Sequence, residues 1–388
     1  MMSLVRSADV VLEINLAAIQ ANLQTVSSLV GPQVSVAAVV KSDAYGLGIL
    51  EVSRSLVDAG CSLLFVASLE EALLLRSCRI GVAIAVFRDE FDRYGKWYLS
   101  HSIIPVVNNC GELLAIDTAG KAQTYFLNVE TGLSRFGLGL EDVRRRYQPH
   151  AFEKHRPSVV LSHLACSEYL GDATNVLQRD RFRAVYDLLR PVRGSLAASA
   201  GLWLGKSYHF DLVRVGSALY GINTAGVQPN PLQPVAKLRA RILDVRKVLR
   251  GEAVGYGATF RACRTSRVAI AGIGYKHGLP WTCANRISVR IAGHCAPLIG
   301  RIAMEYITID TTDIPETLCG PGAFVELLGE DFTIDDLAAA AMISPQEALT
   351  RLGAGCTRQY LNPSFPSEAL SKPVAQAALK TSSGDFGR

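Results

Sequence analysis

The sequence predicts an α/β fold: an amino-terminal (β/α)8 TIM-like barrel followed by a carboxy-terminal, mainly β domain. Three observations predict it. From Val34 onward, short and nearly all-apolar strand patterns alternate with helical ones. Eight such strands fit within about 200 residues, the count of a closed barrel. A proline-rich break at 228–234 then gives way to a β-rich texture. Residues 1–233 are assigned to the barrel, with the first ten or so free to pack on the other domain. Residues 234–372 form the β domain, and 373–388 a flexible tail.

Residues 13–30 read as the opening helix, because Leu16, Ile19, Leu23, Val26 and Val30 recur at helical spacing and Gly31-Pro32 stops the run. The first strand is Val34-Ser-Val-Ala-Ala-Val-Val, whose small and β-branched residues suit a strand covered on both faces. Further strands are expected at 62–67, 81–87, 103–107, 123–129, 158–165, 195–200 and 210–215. Helices at 49–59, 69–78, 141–147 and 176–189 lie between several of them. An open doubly wound sheet is the alternative, although no Gly-x-Gly-x-x-Gly follows the first strand to support dinucleotide binding. Past Gln228-Pro-Asn-Pro-Leu-Gln-Pro234, strands at 238–249, 266–273, 286–292, 306–310 and 323–328 alternate with glycine turns, and a short helix around 345–352 closes the domain.

Composition narrows the function. A 49% hydrophobic content excludes wholesale disorder, and a net charge of +5 spread over the chain suits an anionic small ligand rather than nucleic acid. No apolar run approaches the roughly 20 residues of a membrane span. Residues 10–12 are too short a core for a signal peptide, flanked as they are by Asp9 and Glu13. Nine scattered cysteines without a Cys-x-x-Cys pair read as reduced thiols in a cytoplasmic protein, not as a metal site.

Polar residues fall at the carboxyl ends of the expected strands, where barrels carry their chemistry. Lys41 ends the first strand, Arg135 follows the fifth, His163 lies near the end of the sixth, Ser199 of the seventh and Arg214 of the eighth. A lysine ending an apolar strand is desolvated, which lowers its pKa and frees the amine to attack an aldehyde. On position alone, an exit to solvent explains Lys41 as well or better, as it does each arginine. The next residues, Ser42-Asp-Ala-Tyr-Gly-Leu-Gly48, place a phenol and two glycines just before a helix, a loop able to bring donors to a phosphate. Gly216-Ser217, after the eighth strand, is a second such loop.

Val40-Lys-Ser-Asp-Ala-Tyr-Gly-Leu-Gly resembles the cofactor-lysine motif of bacterial alanine racemases, which are fold-type III pyridoxal-phosphate enzymes. The likeness continues in family order through Thr131-Gly-Leu-Ser-Arg-Phe-Gly, Ser162-His-Leu-Ala, Ala198-Ser-Ala, Arg214-Val-Gly-Ser-Ala-Leu-Tyr-Gly, Val254-Gly-Tyr-Gly-Ala-Thr, Ile273-Gly-Tyr and Gly300-Arg-Ile-Ala-Met. It implies an alanine racemase that binds pyridoxal 5'-phosphate and acts as a homodimer with shared active sites. Lys41 would hold the cofactor and serve as one base. Tyr256, lent by the partner subunit, would be the other. Arg214 would face the pyridine nitrogen; His163 would contact the ring region and assist Tyr256. Arg135 would orient the cofactor's phenolic oxygen and the substrate carboxylate. Tyr45, Ser199, Gly216 and Ser217 would hold the phosphate, and Tyr275 and Met304 would line the substrate entrance.

Four departures from the family pattern bear on specificity. Asn128 stands where many members carry a carbamylated lysine, and a small anion such as chloride is expected beside Arg135 in its place. Lys276-His277 replaces Ala-Asp and is expected to make the entrance more positive. Glu305-Tyr306 keeps an acid there but changes the shape. Ala354 falls where some members place a phosphate-binding tyrosine. A racemase of broader or shifted specificity, acting on serine, lysine or arginine, is therefore the nearest alternative. A decarboxylase on the same barrel lacks support, since it would not carry the Tyr256 motif. A cofactor-binding protein without turnover is the third reading.

Overall fold

The computed structural model describes residues 9–88, 91–119, 123–147 and 156–361; the expected tail lies outside them. A first strand, β1 (Val10–Asn15), precedes eight parallel ones: β2 (Ser35–Val39), β3 (Leu63–Val66), β4 (Ala83–Val86), β5 (Ile103–Val107), β6 (Phe126–Asn128), β7 (Val159–Leu161), β8 (Arg193–Ser195) and β9 (Leu212–Val215). Each of β2 to β7 pairs with the next in sequence, and β9 returns to pair with β2. The ring closes between β8 and β9, where the Asp211 N–H donates to Gly194 O at 3.0 Å and the Arg214 N–H to Ala197 O at 3.1 Å.

Strand periodicity divides the apolar residues. Ala37, Val39, Phe65, Ala85, Val106, Phe126, Val159, Leu161 and Leu212 pack together as one cluster filling the barrel. Their neighbours Ala38, Leu64, Ile84, Val107, Leu127, Val160 and Val213 join the larger core beneath the helices. Both faces are buried, which is why these strands read as continuous apolar runs.

The second domain contains β10 (Ala236–Val248), β11 (Ala253–Val254), β12 (Phe260–Arg261), β13 (Ser266–Ala271), β14 (Ser288–Ile291), β15 (His294–Ile299), β16 (Ile307–Asp310), β17 (Phe324–Leu328) and β18 (Thr357–Leu361). Eight strands make one sheet in the order β13-β16-β15-β14-β17-β10-β1-β18.

The structure corrects two expected elements. Glu13–Asn15 is strand, not helix: β1 pairs antiparallel with β10 and parallel with β18, and the helix begins at Leu16 after Asn15, whose Oδ1 accepts the Ala18 N–H at 3.0 Å. The run at 195–200 is not a strand beyond Ser195. Ser199 adopts helical angles (φ −51°, ψ −50°) and opens a 3-10 turn, and its Oγ accepts the Gly216 and Ala218 N–H groups at 3.2 and 3.1 Å.

Asn22 ties the first helix to the linker. Wholly buried, it donates to Leu219 O (3.1 Å) and Gln233 O (2.9 Å) and accepts from the Gln233 N–H at 2.7 Å. Asn22→Leu leaves all three backbone groups without a partner, at about 1–3 kcal/mol each when fully desolvated. A loss of about 3 kcal/mol or more is expected in urea unfolding; a midpoint equal to the parent's overturns this. All nine cysteines are free, and no helix among the described residues is long and apolar enough to cross a membrane.

Candidate active site

A cavity of about 680 Å³ opens at the carboxyl ends of the barrel strands. Eight of the residues anticipated from the sequence line it: Lys41, Tyr45, Arg135, His163, Ser199, Arg214, Gly216 and Ser217.

Lys41 leads into a left-handed turn. Ser42, Asp43, Ala44 and Tyr45 have φ of 55°, 56°, 53° and 58°, and none is glycine. At about 1–2 kcal/mol per residue, such a run costs roughly 4–8 kcal/mol and persists only if its surroundings hold it. Part of the support is internal, from the Ala44 N–H to Val40 O at 2.9 Å and the Gly46 N–H to Ser42 O at 3.0 Å. The rest comes from outside. Glu71 accepts the Asp43 N–H at 3.2 Å and the Ala67 N–H at 2.8 Å. On the far side, a Cβ on Gly353 would fall well inside 3.0 Å of Gly46 backbone atoms, so the Pro345–Gly355 helix lies directly on the turn. Burial lowers the Lys41 pKa, the charge of Arg135 lowers it further, and Glu71 opposes both. The amine is therefore readier to act as a nucleophile or base than a solvated lysine.

Beside the turn lies a cradle of hydroxyls and backbone donors formed by Tyr45, Ser199, Gly216 and Ser217. A Cβ on Gly216 would come within 2.6 Å of the Tyr45 hydroxyl, so only glycine leaves this space clear. Gln346, on the Pro345–Gly355 helix, reaches the cradle by donating from Nε2 to Ser217 Oγ at 3.0 Å. Ala354, which stands where some family members carry a phosphate-binding tyrosine, makes no such contribution. Ala354 is exposed and lines no part of the cavity, whereas Gln346 does. The sequence signal for Gln346 is only that of a polar residue in the first turn of that helix.

Arg214 is buried, donating from Nη1 to Ser195 O (2.8 Å) and Ser195 Oγ (2.6 Å) and from Nη2 to Ser162 O (2.6 Å). Burial, then Arg135, lowers its pKa to about 10, which still leaves it cationic at neutrality. Arg135 follows a loop wrapped around the Glu130 carboxylate, which accepts the Gly132, Leu133 and Arg135 N–H groups. Among the described residues, no ion pair includes Lys41, Arg135 or Arg214. Asn128 donates to Asn108 Oδ1 at 2.8 Å, an uncharged amide contact at the cavity wall.

His163 stands among these cations. Burial, followed by Arg214, Arg135 and Lys41, drives its pKa from 6.5 down to about 3, so it is neutral at physiological pH. With the folded value depressed, the unfolded chain binds the proton first as pH falls. This stabilising contribution is complete above about pH 6.5 and is lost toward pH 3. His163→Gln is expected to flatten the fall in urea midpoint between pH 6.5 and 4; parallel curves for variant and parent would refute it.

The other three anticipated residues lie elsewhere in the chain. Tyr256, Tyr275 and Met304 are 71%, 45% and 56% exposed on the β domain and do not line this cavity. The charged residues of the expected entrance pair with one another. Lys276 Nζ pairs with Glu305 Oε1 at 2.6 Å, and burial, then the charge of Lys276, lowers the His277 pKa, leaving that ring neutral. One cation offset by one anion gives no net charge.

Comparison with known proteins follows the same division. Residues 14–224 match the family model for the alanine racemase N-terminal domain, and residues 235–360 that for the C-terminal domain. The chain is 70% identical over 382 residues to a Mesorhizobium japonicum protein named alanine racemase, biosynthetic, covering 96% of each. It is 68% identical over 377 residues to alanine racemase 3 of the same organism, covering 97% of each. Among solved structures, that of the Bartonella henselae alanine racemase with covalently bound pyridoxal phosphate superposes with a TM-score of 0.85 at 34% identity, over 91% of this chain and all (100%) of that one. The Streptomyces lavendulae alanine racemase gives 0.83 at 29% identity, over 92% and 98%. With both domains matched and the likeness running from end to end of these relatives, this chain belongs to the alanine racemase family.

Proposed function

We propose that the chain is a pyridoxal-phosphate-dependent alanine racemase, with Lys41 acting on one face of the substrate and the partner subunit's Tyr256 on the other. The observation that carries this reading is the cluster of Lys41, Arg135 and Arg214 around one cavity, none of them in an ion pair among the described residues. Only Arg214 of the three is buried, Lys41 is half-buried and Arg135 exposed; positive charge of this kind, not engaged in an ion pair, is costly where it is desolvated, and a phosphorylated cofactor with an amino-acid carboxylate would offset it.

The residues present fit that cofactor. The Gly216 space, bounded by Tyr45, Ser199, Ser217 and Gln346, suits its phosphate. Lys41 suits its aldehyde, neutral His163 its ring, and Arg135 its phenolic oxygen and the substrate carboxylate. Bound there, it supplies an electron sink for the charge left at the α-carbon. Arg214 retains its own proton at neutrality and so leaves the pyridine nitrogen unprotonated. Lys41, with its depressed pKa, takes or returns the proton on its side. Inversion needs a second donor on the opposite side, and Tyr256, the residue proposed for it, does not line this chain's own cavity.

Tyr256 fits the role in a homodimer. Its turn, with Gly255 and Gly257 at φ 73° and 70°, projects the ring outward. Gly257 packs on Arg301, which lies over Trp281 at 5.6 Å, so the Tyr256 turn and the exposed Trp281 ring meet through one guanidinium. Such a patch suits burial against a second copy. Tyr275 and Met304 then border the partner's entrance. Nine free cysteines accord with a cytoplasmic enzyme.

The test combines borohydride reduction of the purified holoenzyme, mapping of the labelled peptide, and turnover of alanine, serine, lysine and arginine. Label on Lys41 with alanine racemised fastest is expected. Turnover confined to basic amino acids overturns the substrate assignment, and release of carbon dioxide overturns the reaction class.

A further inference from the structure

The left-handed turn after Lys41 is anchored from the second domain as well as from the barrel. Asp43 carries most of its outside contacts. Its N–H donates to Glu71, its Oδ1 accepts the Ile49 N–H at 2.7 Å, and its Oδ2 meets Arg358 Nη1 at 2.6 Å. Arg358 sits on β18, which pairs with β1 at the edge of the second sheet. Two residues on, Tyr360 lies against Gly48, where a Cβ would fall well inside 3.0 Å of its hydroxyl. One strand of the β domain thus holds the turn at Asp43 and again where the next helix begins.

The pair is not a source of general stability. Its side chains are 28% and 44% exposed, Arg358 and Asp43 respectively, and ion pairs of that exposure contribute little to folding. The Ile49 cap and the Glu71 contact also survive without Arg358. What the guanidinium adds is a fixed direction of pull on a strained backbone whose first residue carries the amine. Small displacements of a reacting group carry large penalties in rate.

We propose that Arg358, through Asp43, is a positioning residue that holds the lysine turn so that the Lys41 amine meets its cofactor at the required place. The inference rests on the reading of Lys41 as the attachment point. It assigns catalytic consequence to a side chain that lines neither the cavity nor the entrance.

The test uses full-length Arg358→Gln, Arg358→Lys, Asp43→Asn and the Asp43→Asn/Arg358→Gln double variant, each reconstituted with pyridoxal phosphate. An exposed pair is worth at most about a factor of five in an equilibrium. Arg358→Gln is therefore expected to weaken cofactor affinity, read from absorbance, about fivefold. Labelling of Lys41 on reduction slows and kcat falls, while KM for alanine and the thermal midpoint of the apoenzyme stay at parental values. Arg358→Lys, which keeps the charge, recovers most of the loss. The double variant is no worse than the poorer single one, because both remove the same interaction. Affinity and kcat of Arg358→Gln equal to the parent's overturn the inference, as does simple additivity of the two single variants. A parent that takes no label at Lys41 overturns the underlying reading instead.

Discussion

Two inactive variants should restore each other when mixed. Lys41→Ala and Tyr256→Phe each remove one of the two proton-transfer groups, and each is expected to lower kcat by about 10²–10⁴-fold. If a site combines Lys41 of one subunit with the partner subunit's Tyr256, a mixed dimer concentrates both lesions in one site and leaves the other intact. Random exchange makes half of the dimers mixed, so activity should return to about a quarter of the parent's. Unfolding and refolding an equimolar mixture, with alanine racemisation as readout, decides the matter. Recovery no greater than the sum of the two variants would show that the two groups do not act across a subunit boundary. The exposed position of Tyr256, outside the cavity that holds Lys41, is the structural reason to expect recovery.

The second large effect concerns Gly353. A methyl group there would enter the space of Gly46 O, C and Cα, which are backbone atoms that cannot rotate aside. Gly46 (φ 84°) ends the left-handed turn and is itself confined by Thr350 O, 2.9 Å from where its own Cβ would be. Gly353→Ala therefore has to separate the Pro345–Gly355 helix from the turn. Overpacking of this kind costs about 1–3 kcal/mol, and the rigid contact places it at the upper end. Because the same helix carries Gln346 to Ser217, cofactor affinity should fall together with stability. Gly320→Ala, which meets nothing within 4 Å, is the control and is expected to be neutral. Equal thermal midpoints and equal cofactor affinities for the two variants would refute the argument.

The barrel was legible because its strands are covered on both faces, and Val36-Ala-Ala-Val39 has no polar residue to interrupt the pattern. The polar strand ends were legible for the same reason, since Lys41 and Arg214 break apolar runs. Other features depend on contacts between distant residues. β1 resembled the start of a helix because its outward positions, Val11 and Glu13, meet strands more than 200 residues away. The helix Ile334–Ala341 did carry a local signal, the capping box of Thr333 and Asp336, which the β-rich surroundings obscured. Nothing local marks Ser42–Tyr45 as left-handed, because a run of four non-glycine residues there is costly and its outside support comes from distant residues, among them Glu71, Gly353 and Arg358. Gln346 was missed for a simpler reason. Its role follows from which turn of a helix faces the cradle, and periodicity alone does not say which face that is.

The seat of β1 also dictates an order of events during synthesis. Its two neighbours are β10 and β18, so the first described strand is not seated on both sides until the last described one has emerged. Meanwhile the eight strands that follow it can pair among themselves, since each meets partners already made or soon to come. Nascent chains should accordingly hold a protease-resistant barrel while β1 stays cleavable, and β1 should become fully resistant only once β18 has emerged to pair with it.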